Sequence, residues 1–405
     1  MTFVMTIYMG GIFMKIKVGV FFGGRSVEHE ISIISAVQAM LAFDTEKYDV
    51  VPIYITKDNR FYTGDILKDI EQYKNLDNVI KNSQRIILQN IDGKVKLLSY
   101  PMKLFKKPEI DYIDVAFPVV HGTNVEDGTL EGFLHMLDVP YCGCDVLSSA
   151  VGMDKFAQKA LLRAYNIPVL NAKCFDMKKY NRNEKDILNE IENEIEYPMI
   201  VKPVNLGSSV GIRKVHNREE LEEAIDYGFE FSLRVLVEHA VENLREINCS
   251  VLGDYENARP STCEEPLNAD EILSYQDKYL SGEKSGSKGM SSTKRKLPAD
   301  IPEEISEKIK GYAVDTFKAL GCNGVVRIDF LMNDATKEIW VNEINTIPGS
   351  LSFYLWEATG VKFKELLDEV VSLGLKRKRE EDTVNYSFDT NVLAGIKLGG
   401  TKGKL

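Results

Sequence analysis

Hydrophobic runs bounded by glycine or polar clusters predict alternating strands and helices at the start of the chain. Lys15–Phe22 is a β-branched and aromatic run that ends at Gly23-Gly24, as a buried strand does. Ser32–Ala42 then carries apolar residues at helical spacing, and Asp49–Ile55 predicts a second strand. The order strand, glycine turn, helix, strand predicts a parallel α/β unit.

The sheet is expected to continue after a polar insertion. Residues 58–110 contain clusters of Asn and Lys, and we expect them to decorate an edge of the sheet. Asp111–Val120 predicts another strand, which ends at His121-Gly122.

The rest of the chain mixes strands and helices in two further blocks. The predicted strands are Met199–Val204, Arg234–Glu238, Glu246–Leu252, Gly324–Met332 and Glu338–Asn345. The predicted helices are Met153–Tyr165, Arg218–Gly228, Pro302–Leu320 and Lys362–Leu373. Ser281–Ser292 is Gly, Ser and Lys with almost no apolar residue, which is typical of a disordered segment or a functional lid.

These blocks predict three domains between two short extensions. We expect an N-terminal extension at 1–14, an α/β domain at 15–139, a central domain at 140–242, a C-terminal domain at 243–375 with a lid at 275–296, and a tail at 376–405.

Composition excludes several classes of protein. Fifty Lys and Arg against 61 Asp and Glu give a net charge of −11, which argues against binding of nucleic acid. No window has the length of an apolar membrane span, and Met1–Met14 lacks the leading positive charge of a signal peptide, so Met14 is the more natural first residue. The six scattered cysteines show no zinc spacing, so we expect reduced thiols in a cytoplasmic protein.

Two loops at predicted strand ends carry charged or titratable residues. Gly23–Ser26 follows the first strand and leads to Glu28, while His121 ends a later strand. Parallel α/β sheets bind ligands at the carboxyl ends of their strands, so these loops are candidates for ligand binding. A plain strand–helix turn and a capping or packing histidine are the alternatives.

A lysine in an apolar strand predicts an anion site. Lys202 lies within the run Met199–Val204, where burial of a lysine is costly unless an anion is near. The following loop, Gly207–Gly211, offers backbone N–H groups and hydroxyls with little steric bulk, as a phosphate grip does. A lysine that extends to solvent beside a surface loop is the alternative.

The sharpest chemical signal lies on two predicted strands. Asp329 on one strand, and Glu343 and Asn345 on the next, alternate with apolar residues and share one face. Such a set of oxygen ligands suits Mg²⁺ that is bound jointly with phosphates, and Arg327 lies beside it. A surface salt-bridge cluster is the alternative, but the apolar neighbours argue against it.

Seven motifs together resemble the D-alanine–D-alanine ligase family. They are Gly23–Ser32, His121-Gly122 with Glu126–Gly132, Met153–Lys155, Val201–Pro203 with Gly207–Gly211, Asp277–Leu280, Arg327–Asp329, and Asn342–Thr346 with Pro348-Gly349. They occur in the family's order and cover about residues 15–375. The resemblance implies an α/β protein with the three-domain ATP-grasp fold, in which a parallel α/β domain precedes two sheet-containing domains that clamp ATP.

The same resemblance implies an activity. Two D-alanines would be joined to D-alanyl-D-alanine through an acyl phosphate, at the expense of ATP, for peptidoglycan precursor synthesis. ATP and two Mg²⁺ or Mn²⁺ ions are implied as cofactors. A homodimer in the cytoplasm is usual for the family, and neither nucleic acid nor a membrane is an expected partner.

The resemblance also implies roles for individual residues. The implied catalytic residues are Glu28, Ser208, Tyr279, Arg327 and Gly349. The implied nucleotide-binding residues are Lys155, Lys202, Ser208, Ser209, Glu238, Ala240, Val241, Glu246 and Lys278. The implied substrate-binding residues are Glu28, His121, Arg327, Gly349, Ser350 and Tyr354. The implied metal ligands are Asp329, Glu343 and Asn345.

One departure bears on the second substrate. The family pattern after Pro348-Gly349 contains Ser and His, but this chain has Ser350-Leu351-Ser352-Phe353-Tyr354. A ligase with another acceptor, such as D-serine, is therefore an alternative. A nucleotide-binding regulatory module without turnover is another, although binding alone does not require the full set of acidic residues and Arg327.

Overall fold

The computed structural model describes residues 8–9, 12–102, 105, 107–207, 210–267 and 295–387. Three main sheets follow one another along the described chain. A short hairpin of β1 (Tyr8–Met9) and β2 (Ile12–Phe13) precedes them.

The N-terminal sheet has seven strands. They are β3 (Ile16–Gly23), β4 (Tyr48–Ile55), β5 (Phe61–Thr63), β6 (Gln84–Ile91), β7 (Lys94–Ser99), β8 (Glu109–Ile113) and β9 (Val115–Pro118). Their spatial order is β8-β7-β6-β5-β4-β3-β9. The helices of this part are α1 (His29–Ala42), α2 (Leu76–Asn82) and α3 (Thr129–Met136).

The pairing of these strands tests the sequence predictions. Strand β3 pairs in parallel with β4 and β9, which confirms the parallel unit. Strands β5 to β8 extend the sheet in antiparallel fashion, so residues 58–110 do form one of its edges. The prediction of a single strand at Asp111–Val120 is wrong. The chain breaks at Asp114, whose carboxylate accepts a hydrogen bond from the Lys17 amide at 2.9 Å, and β8 and β9 pair with different neighbours.

The central part is a four-stranded antiparallel sheet with helices against it. Its elements are α4 (Val146–Met153), α5 (Lys155–Ala164), β10 (Ala172–Asp176), α6 (Met177–Glu194), β11 (Met199–Pro203), β12 (Arg213–Val215), α7 (Arg218–Phe229) and β13 (Arg234–His239). The strand order is β10-β13-β11-β12. The helix predicted at Met153–Tyr165 begins only at Lys155, because the Asp154 carboxylate caps it by accepting from the amides of Phe156 and Ala157.

The C-terminal part carries the third main sheet. Its strands are β14 (Leu244–Gly253), β15 (Ala258–Pro260), β16 (Glu265–Pro266), β17 (Arg295–Lys296), β18 (Gly324–Asn333) and β19 (Ile339–Asn345). Its helices are α8 (Glu303–Ala319), α9 (Phe353–Glu357) and α10 (Phe363–Glu381). The main sheet has the order β15-β14-β18-β19, and β16 pairs with β17 separately.

Helix α10 runs eight residues beyond its predicted end at Leu373. Its last turns carry a basic run, Lys376–Arg379, two of whose side chains contact separate parts of the chain. Arg377 donates hydrogen bonds to the carbonyls of Gly143 at 2.6 Å and Tyr141 at 2.7 Å. Lys376 forms an ion pair with Asp254 at 2.8 Å. The helix continues past Leu373 because Lys376 and Arg377 bind these acceptors instead of facing water.

Apolar side chains gather in clusters that match the sheets. The largest cluster joins the N-terminal sheet to α10, so the C-terminal helix packs against the first domain. A second cluster lies between the C-terminal sheet and α8, and a third underlies the central sheet. This arrangement leaves a cleft between the central and C-terminal sheets, with N-terminal loops at one end.

Two further sequence predictions, on the cysteines and on membrane-spanning segments, can be compared with the structure. All six cysteines are free thiols, as predicted. Among the residues described, no helix combines the length and apolar character that crossing a membrane would require.

Candidate active site

A cleft of about 750 Å³ brings most of the predicted site residues together. Its lining includes Glu28, His121, Lys155, Lys202, Glu238, Ala240, Val241, Glu246, Arg327, Asp329, Glu343, Asn345, Gly349 and Tyr354. These residues come from strands of the central and C-terminal sheets, from helices, and from loops that follow strands of the N-terminal sheet. The cleft therefore contains both basic and acidic side chains, so it can bind anionic and cationic groups close together.

The acidic cluster lies on adjacent strands in register. Asp329 of β18 is paired with Glu343 of β19, and Arg327 with Asn345. The amide nitrogen of Asn345 lies 3.1 Å from Asp329 Oδ2. The predicted shared face is therefore real, and its strand register explains why these three oxygen-bearing side chains converge.

The fit of this cluster to Mg²⁺ follows from its donors. Within the described residues, no group of three or more His, Cys, Asp or Glu is placed to hold a metal ion. Only two of the candidate ligands are carboxylates and the third is an amide, so a metal here would take further oxygens from phosphate and water. That donor set suits Mg²⁺, which keeps several waters and binds with substrate phosphates.

Cations already neutralise both carboxylates of the cluster. Arg327 donates from Nε to Asp329 Oδ1 at 2.6 Å and from Nη2 to Oδ2 at 2.7 Å. Burial disfavours its charge, but Asp329 outweighs burial and raises the pKa of Arg327 well above its usual value. Lys155 Nζ lies 3.1 Å from Glu343 Oε2. The site is thus charge-compensated by its own side chains.

The predicted phosphate lysines are held at defined positions. Lys155 is the first residue of α5 and is buried, with its ammonium donating to the carbonyl of Leu206 at 2.6 Å. Lys202 lies on β11, and its ammonium is 2.5 Å from Glu238 Oε1 and 3.1 Å from Asn342 Oδ1. Lys202 is buried rather than extended to solvent, which excludes the alternative of a solvent-exposed lysine.

A buried charge cluster surrounds Glu238. Lys159 Nζ lies 2.9 Å from Glu238 Oε2, and both side chains are almost fully inaccessible. Burial opposes ionisation of Glu238, but the charges of Lys159 and Lys202 outweigh it and lower its pKa to about 2. Burial also lowers the pKa of Lys159 to about 8, against the opposing effect of Glu238. Glu238, one of the implied nucleotide-binding residues, is thus also the anchor of two lysines.

Two glycine loops enclose the carboxylate of Glu28. A Cβ atom built on Gly122 would lie 2.9 Å from Glu28 Oε2, and one built on Gly207 would lie 3.1 Å from the same atom. Gly122 also has a φ of 81°, in the left-handed region that glycine tolerates best. The glycines of both motifs are therefore required for close approach of backbone to Glu28. This carboxylate and that of Glu126 are the acidic groups that the N-terminal part contributes to the cleft.

His121 lies at the cleft but uses both ring nitrogens within the protein. Nδ1 is 2.9 Å from the carbonyl oxygen of Ile347, and Nε2 is 2.9 Å from Ser35 Oγ. Burial lowers the pKa of His121 to about 4, with Arg327 as a further cause. Its role in this arrangement is therefore to join two loops, rather than to offer a charge to a carboxylate.

The end of the cleft predicted for the second substrate contains Gly349 and Tyr354. The Tyr354 hydroxyl donates to Glu264 at 2.9 Å, and the guanidinium of Arg295 lies 4.0 Å from the Tyr354 ring centroid. Ser350 does not line the cleft. It is buried, and its hydroxyl donates to Gln38 at 2.7 Å, because a left-handed backbone turns the side chain towards α1.

Four predicted site residues lie outside the described part of the chain. They are Ser208, Ser209, Lys278 and Tyr279. Most of the predicted lid at 275–296 lies outside it as well, with only Arg295 and Lys296 described.

Comparison with known proteins identifies the family. Family models described as D-ala D-ala ligase N-terminus and C-terminus match residues 17–144 and 161–372. The D-alanine–D-alanine ligase of Thermosipho melanesiensis is 42% identical over 384 residues, which are 95% of this chain and 99% of that protein. The chain belongs to the D-alanine–D-alanine ligase family.

Solved structures of this ligase family share the fold. The VanG D-Ala:D-Ser ligase of Enterococcus faecalis superposes with a TM-score of 0.74 at 32% identity, covering 89% of this chain and all of that one. The D-alanine–D-alanine ligase of Bacillus anthracis, solved in complex with ATP, gives a TM-score of 0.62 at 25% identity, covering 90% of this chain and 99% of that one. The predicted α/β ATP-grasp fold and the class of ATP-dependent ligase are confirmed.

Three residues of this ligase site were not assigned from the sequence. The first is Lys159, and the others are Glu126 and Glu264, each buried and each lining the cleft or touching its lining. Glu126 accepts from the amides of Gly122 and Ile347, both at 2.9 Å, and so joins two motifs. The motif that contains Glu126 was recognised, and its buried role needed the fold. Lys159 and Glu264 had no signal, because single charged residues in ordinary segments do not reveal burial.

Proposed function

We propose that this chain joins two D-alanine molecules to D-alanyl-D-alanine in an ATP-dependent reaction, and that the cleft is its active site. The observation that carries this proposal is the placement of Asp329, Glu343 and Asn345 beside Arg327 and Lys155 in one cleft. A binding module would not need paired carboxylates and cations at the same point. Phosphoryl transfer needs both, because charge moves between oxygens as the bond to phosphorus breaks.

The reaction has two steps. A carboxylate oxygen of the first D-alanine takes the γ-phosphoryl group of ATP, and ADP leaves. The amine nitrogen of the second D-alanine then attacks the carbonyl carbon of the acyl phosphate, loses a proton, and phosphate departs with the oxygen. A carboxylate is a poor electrophile at neutral pH, so the phosphate supplies the leaving group that the amide bond requires.

Lysines and arginine of the cleft bind the anions of both steps. Lys155 and Lys202 hold nucleotide phosphates by exchanging their present partners, Glu343 and Glu238, for phosphate oxygens. Arg327 and the Gly349 amide stabilise the oxyanion that forms when the amine attacks. Glu238, Ala240, Val241 and Glu246, which line the cleft around the end of β13 and the start of β14, hold adenine and ribose.

Carboxylates of the cleft hold the metal and the first substrate. Asp329, Glu343 and Asn345 would hold two Mg²⁺ or Mn²⁺ ions, which would neutralise charge on the phosphates. Glu28, enclosed by the glycines of two motifs, accepts the ammonium group of the first D-alanine. Tyr354 lines the end of the cleft where the second substrate binds, while Ser350 supports that end from outside the cleft.

One assay tests this proposal directly. Purified protein is incubated with ATP, Mg²⁺ and D-alanine, with ADP and phosphate release followed together with product mass. We expect phosphate release that depends on D-alanine and a product with the mass of the dipeptide. L-alanine in place of D-alanine is the control. ATP turnover without dipeptide, or no turnover at all, would contradict the proposed ligation.

A D-serine acceptor is the second candidate, and one observation favours it. The VanG D-Ala:D-Ser ligase is among the similar structures, and the Ser350–Tyr354 segment of this chain departs from the family pattern. Equimolar D-alanine, D-serine and D-lactate, offered together at about pH 6 and about pH 8, would identify the acceptor. We expect D-alanyl-D-alanine as the main product. D-alanyl-D-serine as the main product would mean that the Ser350–Tyr354 segment selects D-serine as the acceptor. D-alanyl-D-lactate as the main product would exclude an amine acceptor.

We also propose a homodimer. Apolar side chains on neighbouring helices support it, since Met136 of α3 is 88% exposed and Leu147 of α4 is 68% exposed. Paired burial of such a patch in a second copy is a common reason for exposed apolar residues. Light scattering of the purified protein measures the mass. A mass of 45.7 kDa over a wide concentration range would exclude the dimer.

A further inference from the structure

Three consecutive residues beside the cleft adopt a left-handed backbone. Ser350, Leu351 and Ser352 have φ of 51°, 53° and 50°. Non-glycine residues seldom adopt this region singly, and a run of three is unfavourable unless its surroundings hold it. The turn lies directly between Gly349 and the helix that carries Tyr354, both of which line the cleft. Its conformation therefore decides where those two residues sit.

Helix α1 of the N-terminal domain holds the first residue of the turn at two points. The Ser350 amide donates to Ser35 Oγ at 2.9 Å, and the Ser350 hydroxyl donates to Gln38 Oε1 at 2.7 Å. Ser35 and Gln38 are three residues apart on a helix and so share a face. We call this pair of side chains the α1 clamp. Ser35 and Ser350 are each 1% exposed, so the bond between them is shielded from water, while the bond to Gln38 is partly buried.

The hydrogen bonds around the α1 clamp fix the position of each proton. A carbonyl only accepts, so His121 Nδ1 must carry the proton that it donates to Ile347. A neutral His121 then accepts at Nε2 from the Ser35 hydroxyl, 2.9 Å away. The Ser35 oxygen keeps its lone pairs for the Ser350 amide. Ser35 thus links both sides of the Pro348-Gly349 loop in one ordered chain.

We propose that Ser35 and Gln38 are positioning residues of the ligase reaction, holding the left-handed turn so that Gly349 and Tyr354 keep their places in the cleft. The proposal rests on the function proposed above for those two residues. It assigns to the N-terminal domain a second task besides binding the first substrate. Neither clamp residue lines the cleft, so their effect passes through the turn to the step in which the amine attacks.

The first experiment measures the turn without any substrate. Hydrogen exchange of the amides of residues 350–352 is followed in wild type, Ser35→Ala, Gln38→Met and a matched control, Thr316→Val. Thr316 is buried in α8, and its hydroxyl has no hydrogen-bond partner among the described residues. We expect exchange at 350–352 to rise about tenfold in both clamp variants and to stay unchanged in the control. Unchanged exchange in the clamp variants would overturn the proposal whether or not the chain is a ligase.

The second experiment separates positioning from general stability. We expect Ser35→Ala and Gln38→Met to lower kcat for dipeptide formation by about tenfold, with the dissociation constant for ATP unchanged. Gln38→Glu, which keeps an acceptor for the Ser350 hydroxyl, should restore kcat. Equal losses in kcat and in ATP affinity, or full kcat in both clamp variants, would reject a positioning role.

A rescue variant tests the role of backbone strain. Ser352 is buried, its hydroxyl lacks a partner among the described residues, and glycine adopts its φ readily. Adding Ser352→Gly to Ser35→Ala removes part of the penalty that the clamp offsets. We expect the double variant to recover several-fold of the lost kcat and to exchange more slowly at 350 than Ser35→Ala alone. A double variant that is no better than Ser35→Ala in both measurements would overturn the proposal.

Discussion

At the scale of single residues, the cleft is defined by cations and carboxylates that pair within the protein. Lys155 pairs with Glu343, Lys202 and Lys159 pair with Glu238, and Arg327 pairs with Asp329. A buried unpaired charge is costly, so each pair offsets the cost of burying its two charges in the cleft. Removing one member should thus affect either turnover or stability, depending on its position.

Replacing Glu343 by Gln should remove turnover and leave ATP binding measurable. Glu343 is partly exposed in the cleft, and the change removes a charge that the transition state needs more than the ground state. We expect kcat to fall by at least about a hundredfold, with ATP affinity, measured by calorimetry, within about tenfold of wild type. Near wild-type phosphate release by this variant would exclude the proposed metal site.

Replacing Lys159 by Met should destabilise the fold. Lys159 and Glu238 are buried together, so removal of the lysine leaves a carboxylate with only Lys202 as partner. We expect a loss of about 3 kcal/mol in the free energy of unfolding, measured with denaturant. Combining the change with Glu238→Gln should cost less than the sum of the single changes by at least about 1 kcal/mol. Additive costs would mean that the two charges do not depend on each other.

At the scale of elements, local pattern predicted the existence of most strands and helices, and tertiary contacts decided where several of them end. The parallel unit of β3, α1 and β4 followed from hydrophobic periodicity alone. The break at Asp114 did not, because it depends on a hydrogen bond to Lys17 in another strand. The added length of α10 depends on Tyr141, Gly143 and Asp254, all distant along the chain.

The extension of α10 leads to a prediction with a control on the same helix. Arg377 donates to two backbone carbonyls and lies 4.1 Å from the ring centroid of Tyr141, whereas Arg379 is exposed. We expect Arg377→Met to lower the free energy of unfolding by about 2 kcal/mol, because two acceptors lose a charged donor. Arg379→Met should change it by less than about 0.5 kcal/mol. Equal effects of the two variants, compared by denaturant unfolding, would mean that the contacts of Arg377 contribute nothing.

At the scale of the whole molecule, the site exists only because the central and C-terminal sheets meet loops of the N-terminal sheet. The motifs predicted Asp329, Glu343 and Asn345 as a set, since strand alternation alone brings them to one face. His121 and Glu126 both hydrogen-bond to the backbone of Ile347, more than two hundred positions away, and we call these contacts the interlock. No local sequence pattern encodes them. That interlock also explains why His121 is neutral and bonded at both nitrogens instead of facing a substrate.

The two titratable groups of this interlock should affect stability in opposite directions with pH. Burial, with Arg327 nearby, lowers the pKa of His121 from 6.5 to about 4, so its contribution is complete above pH 6.5 and is lost as pH falls towards 4. Burial, with Glu28 nearby, raises the pKa of Glu126 from 4.5 to about 7, so its contribution is complete below pH 4.5 and is lost as pH rises towards 7. Between these values the two effects oppose each other in the wild type.

Single variants should expose each effect separately. Glu126→Gln leaves the histidine, so between pH 6.5 and 4.5 its stability should fall more steeply with acidification than that of wild type. His121→Asn leaves the glutamate, so over the same range its stability should fall, relative to wild type, as pH rises. Each slope can reach about 1.4 kcal/mol per pH unit, which denaturant unfolding at several pH values resolves. Two variants that shift the slope in the same direction would show that burial in the interlock does not oppose ionisation of both His121 and Glu126.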